Sequence, residues 1–331
     1  MNRLPSSWLD GMRLPLIAAP MFLVSSVDLV AAACTSGVVG AMPTVNARTP
    51  EVLEGWLAGL SARLEEARAE GNTPAPYAVG LTTHNTNPRL PPDLALCVKF
   101  RVPLVITALG GPKPAIGPVH DYGGLVFADV STPEYARKAA DAGVDGLVLV
   151  CSGSGGHTGQ LAAPTFVSMV REFWDGIIVV AGGMMTGEML RAAQLMGADL
   201  AYMGTRFIAT EESAADPRYK QMVVDCTFRD IVPTDAITGA VANKLKPSLV
   251  AAGLDPDNLP SGKGFNLHYA EKQPKAWKDI WSAGHGVGMV GGIETTADVI
   301  ARLEAEYADA IRASHDDIWT RRVIDAARVP A

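Results

Sequence analysis

The chain has 331 residues, of which 48% are hydrophobic, enough for a sizeable core in one large domain or two ordinary ones. Its net charge of −7 comes from 28 basic and 35 acidic residues without a basic run, which argues against a nucleic acid or an anionic membrane as partner. The four cysteines are scattered and form no metal-ligand pattern. Residues 1–16, MNRLPSSWLDGMRLPL, have no apolar segment long enough to indicate a signal peptide, and no later apolar run reaches the roughly 18 residues of a membrane span. We therefore expect a cytoplasmic protein with reduced thiols, no metal ion and a small-molecule ligand.

Eight short apolar runs recur through the first two-thirds of the chain, each bounded by glycine, proline or charged residues. They are apolar on both faces, and the segments between them mostly carry a helical pattern, which is typical of buried parallel strands alternating with helices. The predicted strands cover residues 15–20, 38–42, 77–82, 103–108, 124–130, 145–150, 177–181 and 199–203.

The starts of several helices are marked by capping residues. Thr49 and Thr132 each precede a proline and a glutamate, which places a capping hydroxyl before a proline at the first helical position. Residues 25–28, SSVD, have the spacing of a capping box. Gly143 follows a one-face helical pattern and predicts a helix stop.

Eight strand–helix units in about 210 residues predict a (β/α)₈ TIM barrel, with an open doubly wound sheet as the main competitor. The barrel is favoured because a dinucleotide-binding sheet normally begins with a GxGxxG turn, whereas the first strand here ends in Ala19-Pro20-Met21. A barrel places the active site at the carboxyl ends of its strands, with a phosphate site after strands seven and eight.

The strand–helix rhythm stops after the eighth strand, and six prolines interrupt the next 80 or so residues. We expect the barrel to occupy residues 1–213 and a smaller, irregular substrate-side subdomain to occupy residues 214–292. Residues 293–331 would form a C-terminal helix that returns to the barrel, because apolar residues repeat there every four positions.

Residues 151–160, CSGSGGHTGQ, follow the sixth strand and place His157 among four glycines. Glycine loses more backbone entropy on folding than other residues, so such a cluster indicates positive φ angles or a backbone pressed against a neighbour, a ligand being one candidate. At the carboxyl end of a barrel strand, this pattern makes His157 a candidate functional residue.

Glycine turns also follow strands seven and eight, at Gly182-Gly183 and at Gly204-Thr205. Backbone N–H groups at two adjacent turns, together with a helix capped near Thr186, predict an anion cradle that needs no lysine. A phosphate in this cradle would place an attached planar ring over the barrel mouth, so FMN is the expected ligand. The end of the first strand would allow close approach of the ring, and Thr82 and Asp129 would be its polar partners.

Short motifs stand at these strand ends: APM at 19–21, GGHTG at 155–159, AGG at 181–183, MGTRFIATEES at 203–213 and DIWSAGHGVG at 279–288. Together they resemble the nitronate monooxygenase family, also called 2-nitropropane dioxygenases. The similarity runs from about residue 15 to about residue 303. It implies an FMN enzyme with the flavin on the barrel mouth and His157 as catalytic base.

The resemblance and the strand ends together define the expected site. The expected cofactor-binding residues are Ala19, Pro20, Met21, Thr82, Asp129, Gly155, Gly182, Gly183, Met203, Gly204 and Thr205. The expected substrate-lining residues are His84, Trp281, Ser282 and His285. The chain departs from the family pattern at Gly80, Asp129 and Val150, where members carry asparagine, lysine or glutamine, so its polar contacts to the ring differ from that pattern.

The implied reaction is the oxidative denitrification of alkyl nitronates with O₂ to a carbonyl compound and nitrite. A nitroalkane is a weak carbon acid, and removing its proton near neutral pH calls for a base with a pKa close to ambient, which histidine offers. If the substrate arrives as the nitronate anion, a protonated His157 would instead hold it.

Two other functions stay open at this point. One is an FMN-dependent NAD(P)H:quinone reductase or enoyl-acyl-carrier-protein reductase of the same fold, which NAD(P)H consumption would reveal. The other is a non-catalytic barrel that binds a phosphate ligand, which failure to take up FMN would indicate. The physiological substrate and the oligomeric state also stay open, with a homodimer among the options.

Overall fold

Eight parallel strands close into a barrel in a computed structural model, which describes residues 3–262 and 278–327. The barrel strands are β1 (Leu16–Ala18), β2 (Val39–Pro43), β3 (Tyr77–Thr82), β4 (Leu104–Ala108), β5 (Leu125–Val130), β6 (Gly146–Val150), β8 (Ile177–Ala181) and β9 (Leu200–Met203). Parallel pairing of β9 with β1 closes the ring. The eight predicted strands and the (β/α)₈ barrel are confirmed, and the competing open sheet is wrong.

Helices lie before, between and after the strands, and several of them begin at the capping residues that the sequence predicts. They are α1 (Ser6–Leu9), α2 (Val27–Thr35), α3 (Pro50–Ala69), α4 (Leu90–Lys99), α5 (Lys113–His120), α6 (Pro133–Ala142), α7 (Ala163–Arg171), α8 (Gly187–Leu195) and α9 (Thr205–Ile208). The side chains of Thr49, Thr132 and Thr186 each accept a backbone N–H of the first turn of their helix. Gly143 ends α6 with a φ of 93°.

The predicted capping box at residues 25–28 is wrong in its details. Ser26 is the N-cap of α2 and accepts the N–H of Leu29 at 3.0 Å. The Ser25 hydroxyl instead accepts the N–H of Met21 at 2.9 Å and donates to the carbonyl of Ala19 at 3.3 Å. Ser25 therefore fixes the turn that follows β1 at the barrel mouth.

The barrel interior is a packed apolar core. Ile17, Phe127, Val148 and Val179 point inward from four strands and are all buried. Trp8 of α1 packs against Phe127 with the ring centroids 6.4 Å apart. Because α1 precedes the first strand, Trp8 covers the amino-terminal end of the barrel, and the carboxyl end is left for the site.

A small antiparallel sheet lies outside the barrel. Its strands are β7 (Gly156–His157), β10 (Ile231–Thr234) and β11 (Ala242–Leu245), in the order β10-β11-β7. The helices α10 (Pro217–Asp225) and α11 (Lys246–Ala251) flank β10 and β11 in the chain. Since β7 belongs to the loop between β6 and α7, this sheet includes residues from within the barrel region. The predicted division at residues 213 and 292 stays a prediction.

Two helices end the described chain, α12 (Thr296–Asp316) and α13 (Ile318–Ala327). Leu303 of α12 is buried in one cluster with Leu190 of α8 and Leu29 of α2, so α12 packs on the barrel helices. The carboxylate of Glu212 accepts the N–H of Thr296 at 2.9 Å and so caps α12. In the ranges described, no helix combines the length and the apolar character needed to cross a membrane.

Candidate active site

The glycine-rich loop after β6 packs directly against the backbone of residues 283–285. A Cβ added to Gly155 would lie 2.8 Å from the backbone nitrogen of Gly284, and one added to Gly153 would lie 3.2 Å from Nδ1 of His285. The His285 N–H donates to the carbonyl of Gly153 at 3.0 Å. Close contact with the backbone of Gly284 thus explains Gly155, and the positive φ of 86° beside the His285 ring explains Gly153. The contact of Gly155 with a cofactor stays a prediction.

His157 lies in β7 and is held by the small sheet. Its pairing partner is Ala242 in β11, and its Nε2 lies 3.3 Å from the hydroxyl of Thr238. Burial, and secondly the positive charge of Lys244, lower the pKa of His157 to about 4. The imidazole is therefore uncharged at neutral pH, and one of its ring nitrogens carries a lone pair that can accept a proton. Its pKa lies below the near-ambient value expected from the sequence, because the sequence does not show that the histidine is buried beside a lysine.

Two polar residues of β11 complete this region and were not predicted from the sequence. The side chain of Asn243 donates to the carbonyl of Ser154 at 2.8 Å, which ties β11 to the glycine loop. Lys244 is fully buried, and burial lowers its pKa to about 8. The polar pair Asn-Lys inside an apolar stretch was the available signal, but nothing in the sequence indicates that this stretch pairs with residue 157.

The ends of β1 and β9 meet at the barrel mouth. The N–H of Ala19 donates to the carbonyl of Met203 at 2.9 Å. A Cβ added to Gly204 would lie 3.4 Å from Sδ of Met21 and 3.7 Å from Cβ of Ala19, which are ordinary contact distances. The surrounding protein therefore does not require glycine at position 204, and close approach of a ligand would explain it.

Pro20 lies over the end of β3. A Cβ added to Gly80 would come within 3.3 Å of the Pro20 ring and 3.4 Å of the Cα of Pro43. A larger side chain at position 80, such as the asparagine of the family pattern, would need Pro20 to shift. Gly80 therefore fits the position of Pro20 at the mouth.

The turns after β8 and β9 are neighbours because Ala181 pairs with Tyr202. Gly182 and Gly183 have φ angles of 123° and 69°, in the region that favours glycine. A Cβ on Gly183 would meet no described atom within 4 Å, so its backbone borders open space. Thr205 accepts the N–H of Gly284 at 2.8 Å and keeps its own hydroxyl proton for another acceptor. This donor set fits a phosphate group.

Two buried polar groups point into the barrel just below the mouth. Asp129 is on the same face of β5 as the inward-facing Phe127, and Tyr202 contacts the interior cluster. Within the described residues, Oδ1 of Asp129 and the hydroxyl of Tyr202 have no hydrogen-bond partner. Burial raises the pKa of Asp129 to about 7, and burial followed by the charge of Asp129 raises that of Tyr202 well above its usual value. Thr82, at the end of β3, faces inward by the same alternation. A ring with donors and acceptors on its edge would satisfy these groups.

The expected substrate-lining residues occupy different surroundings. Trp281 is buried and stacks on Tyr219 with the ring centroids 5.0 Å apart, while the carbonyl of Ser282 accepts the Tyr219 hydroxyl. His285 is exposed beside Gly153. The ring of His84 lies 2.8 Å from the hydroxyl of Thr86 in its own loop. Of the four, the structure thus brings His285 to the glycine loop, and the substrate contacts of all four residues stay predictions.

Other reactive groups near the mouth are structural. Cys151 is buried, and burial raises the pKa of its thiol to about 12, which leaves no nucleophilic thiolate at neutral pH. The four cysteines are all free and buried. Among residues 3–262 and 278–327, no cluster of three histidine, cysteine or acidic side chains is arranged to hold a metal ion.

A (β/α)₈ barrel whose mouth combines open glycine turns, unsatisfied polar groups and an uncharged histidine has the architecture of a cofactor-dependent oxidoreductase. The sequence model of one such family, described as nitronate monooxygenase, matches residues 65–305. The match spans more than half of the chain, and the protein belongs to the nitronate monooxygenase family. It is therefore a flavin-dependent oxidoreductase, as the sequence motifs predict.

Individual relatives agree with this assignment. A nitronate monooxygenase of Paraburkholderia phytofirmans is 26% identical over 351 residues, which cover 91% of this chain and 94% of that protein. Two solved structures share the fold, both with a TM-score of 0.76. FabK from Thermotoga maritima is 22% identical and the match covers 96% of this chain and 99% of that one. Nitroalkane oxidase from Streptomyces ansochromogenes is 24% identical, with 93% and 99% covered.

Proposed function

We propose that the protein uses FMN and O₂ to convert alkyl nitronates into a carbonyl compound and nitrite. The observation that carries this proposal is an uncharged His157 in the loop after β6 of a nitronate monooxygenase barrel, because Ser152 and Ser154 of the same loop lie against the glycine turn after β8. A histidine in this form accepts a proton from a carbon acid, or becomes protonated when an anion binds beside it.

The hydrogen-bond donors at the barrel mouth suit the phosphate group of FMN. The backbone of Gly182, Gly183 and Gly204 and the hydroxyl of Thr205 would hold the phosphate. The turn of Ala19, Pro20 and Met21, fixed by Ser25, would lie along the ring. When bound, the flavin supplies an acceptor for the electrons of the nitronate and a route for them to O₂.

Asp129 would serve as the polar partner of the ring. With a pKa of about 7, its carboxyl group is protonated in a large fraction of molecules at neutral pH. In that form it donates a hydrogen bond, and in the ionised form it accepts one. Tyr202 offers a second hydroxyl in the same place. Oδ1 of Asp129 and the hydroxyl of Tyr202 would otherwise remain buried without a hydrogen bond, at a cost of about 1–3 kcal/mol each.

The function is tested by flavin absorbance under anaerobic conditions. The FMN-loaded protein is mixed with propyl-2-nitronate and, separately, with NADH, and air is then admitted. We expect the flavin absorbance to bleach with the nitronate alone and nitrite to be released when O₂ enters. Rapid bleaching with NADH and none with the nitronate would refute the proposal and assign the protein to the flavin reductases. Failure to take up FMN at all would leave a phosphate-binding barrel without flavin chemistry.

A further inference from the structure

The register of the small sheet places a buried lysine on the face that carries His157. In the antiparallel pairing of β7 with β11, His157 lies opposite Ala242. Side chains alternate between faces along a strand, so Lys244, two residues beyond Ala242, points to the same face as His157. Such diagonal neighbours lie roughly 7–8 Å apart, within reach of a long side chain.

Lys244 is an unusual residue for this position because its side chain has no exposed surface. It lies in the central strand of the sheet, with Val232 of β10 opposite it on the other side. Its pKa of about 8 keeps the ammonium group mostly charged at neutral pH. A mostly charged ammonium group therefore lies on the same face of the sheet as the histidine, in a buried position where charges interact more strongly than in water.

We propose that Lys244 is a positioning residue that keeps His157 uncharged until an anion arrives, and so makes the site selective for nitronate anions over neutral nitroalkanes. This inference rests on the proposed function and assigns its substrate form. It gives a role to a residue that is needed neither for the expected cofactor contacts nor for the base chemistry.

Proton transfer from a neutral nitroalkane to His157 would leave two charges, an imidazolium ion and a nitronate anion. Lys244 repels the imidazolium ion and attracts the nitronate, so its ammonium group gives this transfer little net help. A nitronate that binds as an anion beside the uncharged histidine gains the attraction of Lys244 without that repulsion.

The other titratable groups near His157 do not produce this effect. Asp235, three residues before Thr238, is half-buried, and a negative charge close to His157 would favour the imidazolium ion rather than oppose it. His285 is exposed on the segment that packs on the glycine loop. Within the described residues, Lys244 is thus the charged group that acts in the observed direction.

Two substitutions at position 244 and one control test the proposal. Lys244→Met removes the charge and keeps a side chain of similar length, while Lys244→Arg keeps the charge. Lys246→Met is the matched control, because Lys246 is two residues further on, partly exposed and 3.7 Å from Asp257. Each FMN-loaded variant is assayed for kcat/KM with propyl-2-nitronate and with neutral 2-nitropropane. We expect Lys244→Met to lose about tenfold of the preference for the nitronate, since one pH unit of proton affinity is a tenfold factor, while the other two variants retain it. An unchanged preference in Lys244→Met overturns the proposal.

A second measurement does not depend on turnover. The six histidines of the chain are labelled with ¹⁵N, and the signal that disappears in His157→Gln is followed by NMR from pH 3.5 to 8. We expect His157 to titrate near pH 4 in the unsubstituted protein, and about one pH unit higher in Lys244→Met but not in Lys246→Met. Titration of the unsubstituted protein near 6.5, or no change in Lys244→Met, overturns the proposal even if that variant is inactive. If neither substrate reduces the flavin, the proposed function fails, and the titration alone decides the role of Lys244.

Discussion

Replacing Gly204 with alanine adds one methyl group to the barrel mouth. The new Cβ would lie 3.4 Å from Sδ of Met21 and 3.7 Å from Cβ of Ala19, both ordinary contacts. The backbone at Gly204, with φ of −107° and ψ of −62°, does not require glycine. The FMN-free protein should therefore be as stable as before, or more stable by about 0.4–1 kcal/mol because its unfolded chain loses entropy.

FMN binding should respond in the opposite direction. If a phosphate approaches the backbone at Gly204, the methyl group displaces it and weakens at least one hydrogen bond to a charged group. Such a bond contributes about 1.5–3 kcal/mol, so the Kd for FMN should rise roughly 10- to 100-fold.

The two effects are measured on the same FMN-free preparation. Quenching of FMN fluorescence gives the Kd, and urea unfolding without FMN gives the stability. An unchanged Kd would refute the placement of the phosphate beside Gly204. A large loss of stability without FMN would refute the inference that the protein itself leaves room for a side chain there.

Three further substitutions test other parts of the site. Gly155→Ala should lower the free energy of unfolding by about 1–3 kcal/mol, because its Cβ would meet the backbone of Gly284 at 2.8 Å, and an unchanged urea midpoint would contradict this. Asp129→Asn should remove a pH dependence of the FMN-free protein. The carboxyl pKa rises from 3.8 in the unfolded chain to about 7, so the folded state binds the proton more tightly and loses up to roughly 4 kcal/mol as the pH rises through this window. Urea midpoints at pH 5 and pH 8 that change equally in both proteins would show that Asp129 is not the cause. His157→Ala should keep FMN but lose most turnover of neutral nitroalkane, whereas His120→Ala should behave like the original protein; full activity in the first variant would refute the base assignment.

The barrel could be predicted because its strands have a strong and local signal. Residues 177–181 are all buried in β8, so the segment is a continuous apolar run. Capping threonines such as Thr49 bond within one helical turn, so the few residues that decide a cap lie next to one another in the sequence. The sequence could not show that Ser26, rather than Ser25, is the N-cap of α2, because the Ser25 hydroxyl bonds instead to the turn after β1.

The small sheet could not be predicted for the opposite reason. β7 has only two residues, one of them a glycine, and its partner β11 lies more than 80 positions further along the chain. Lys244 therefore showed no sign of a relation to His157. The glycine cluster predicted positive φ angles or a close neighbour, with a ligand as one candidate. The sequence could not show that the close neighbours of Gly153 and Gly155 are the His285 ring and the backbone of Gly284, over 120 residues away. Pairings at such separations are decided by the whole fold.

The expected flavin contacts and the surroundings of His157 come from different strands, and this separation has an evolutionary consequence. The groups expected to hold FMN stand at the ends of β1, β5, β8 and β9, whereas the electrostatic surroundings of His157 come from a strand outside the barrel. Substitution of Lys244 in β11 would therefore alter the proposed proton chemistry without replacing any residue expected to contact the flavin. Related barrels would be free to acquire new substrates by exchanging one short strand, which lets a single flavin scaffold diversify without first losing its cofactor.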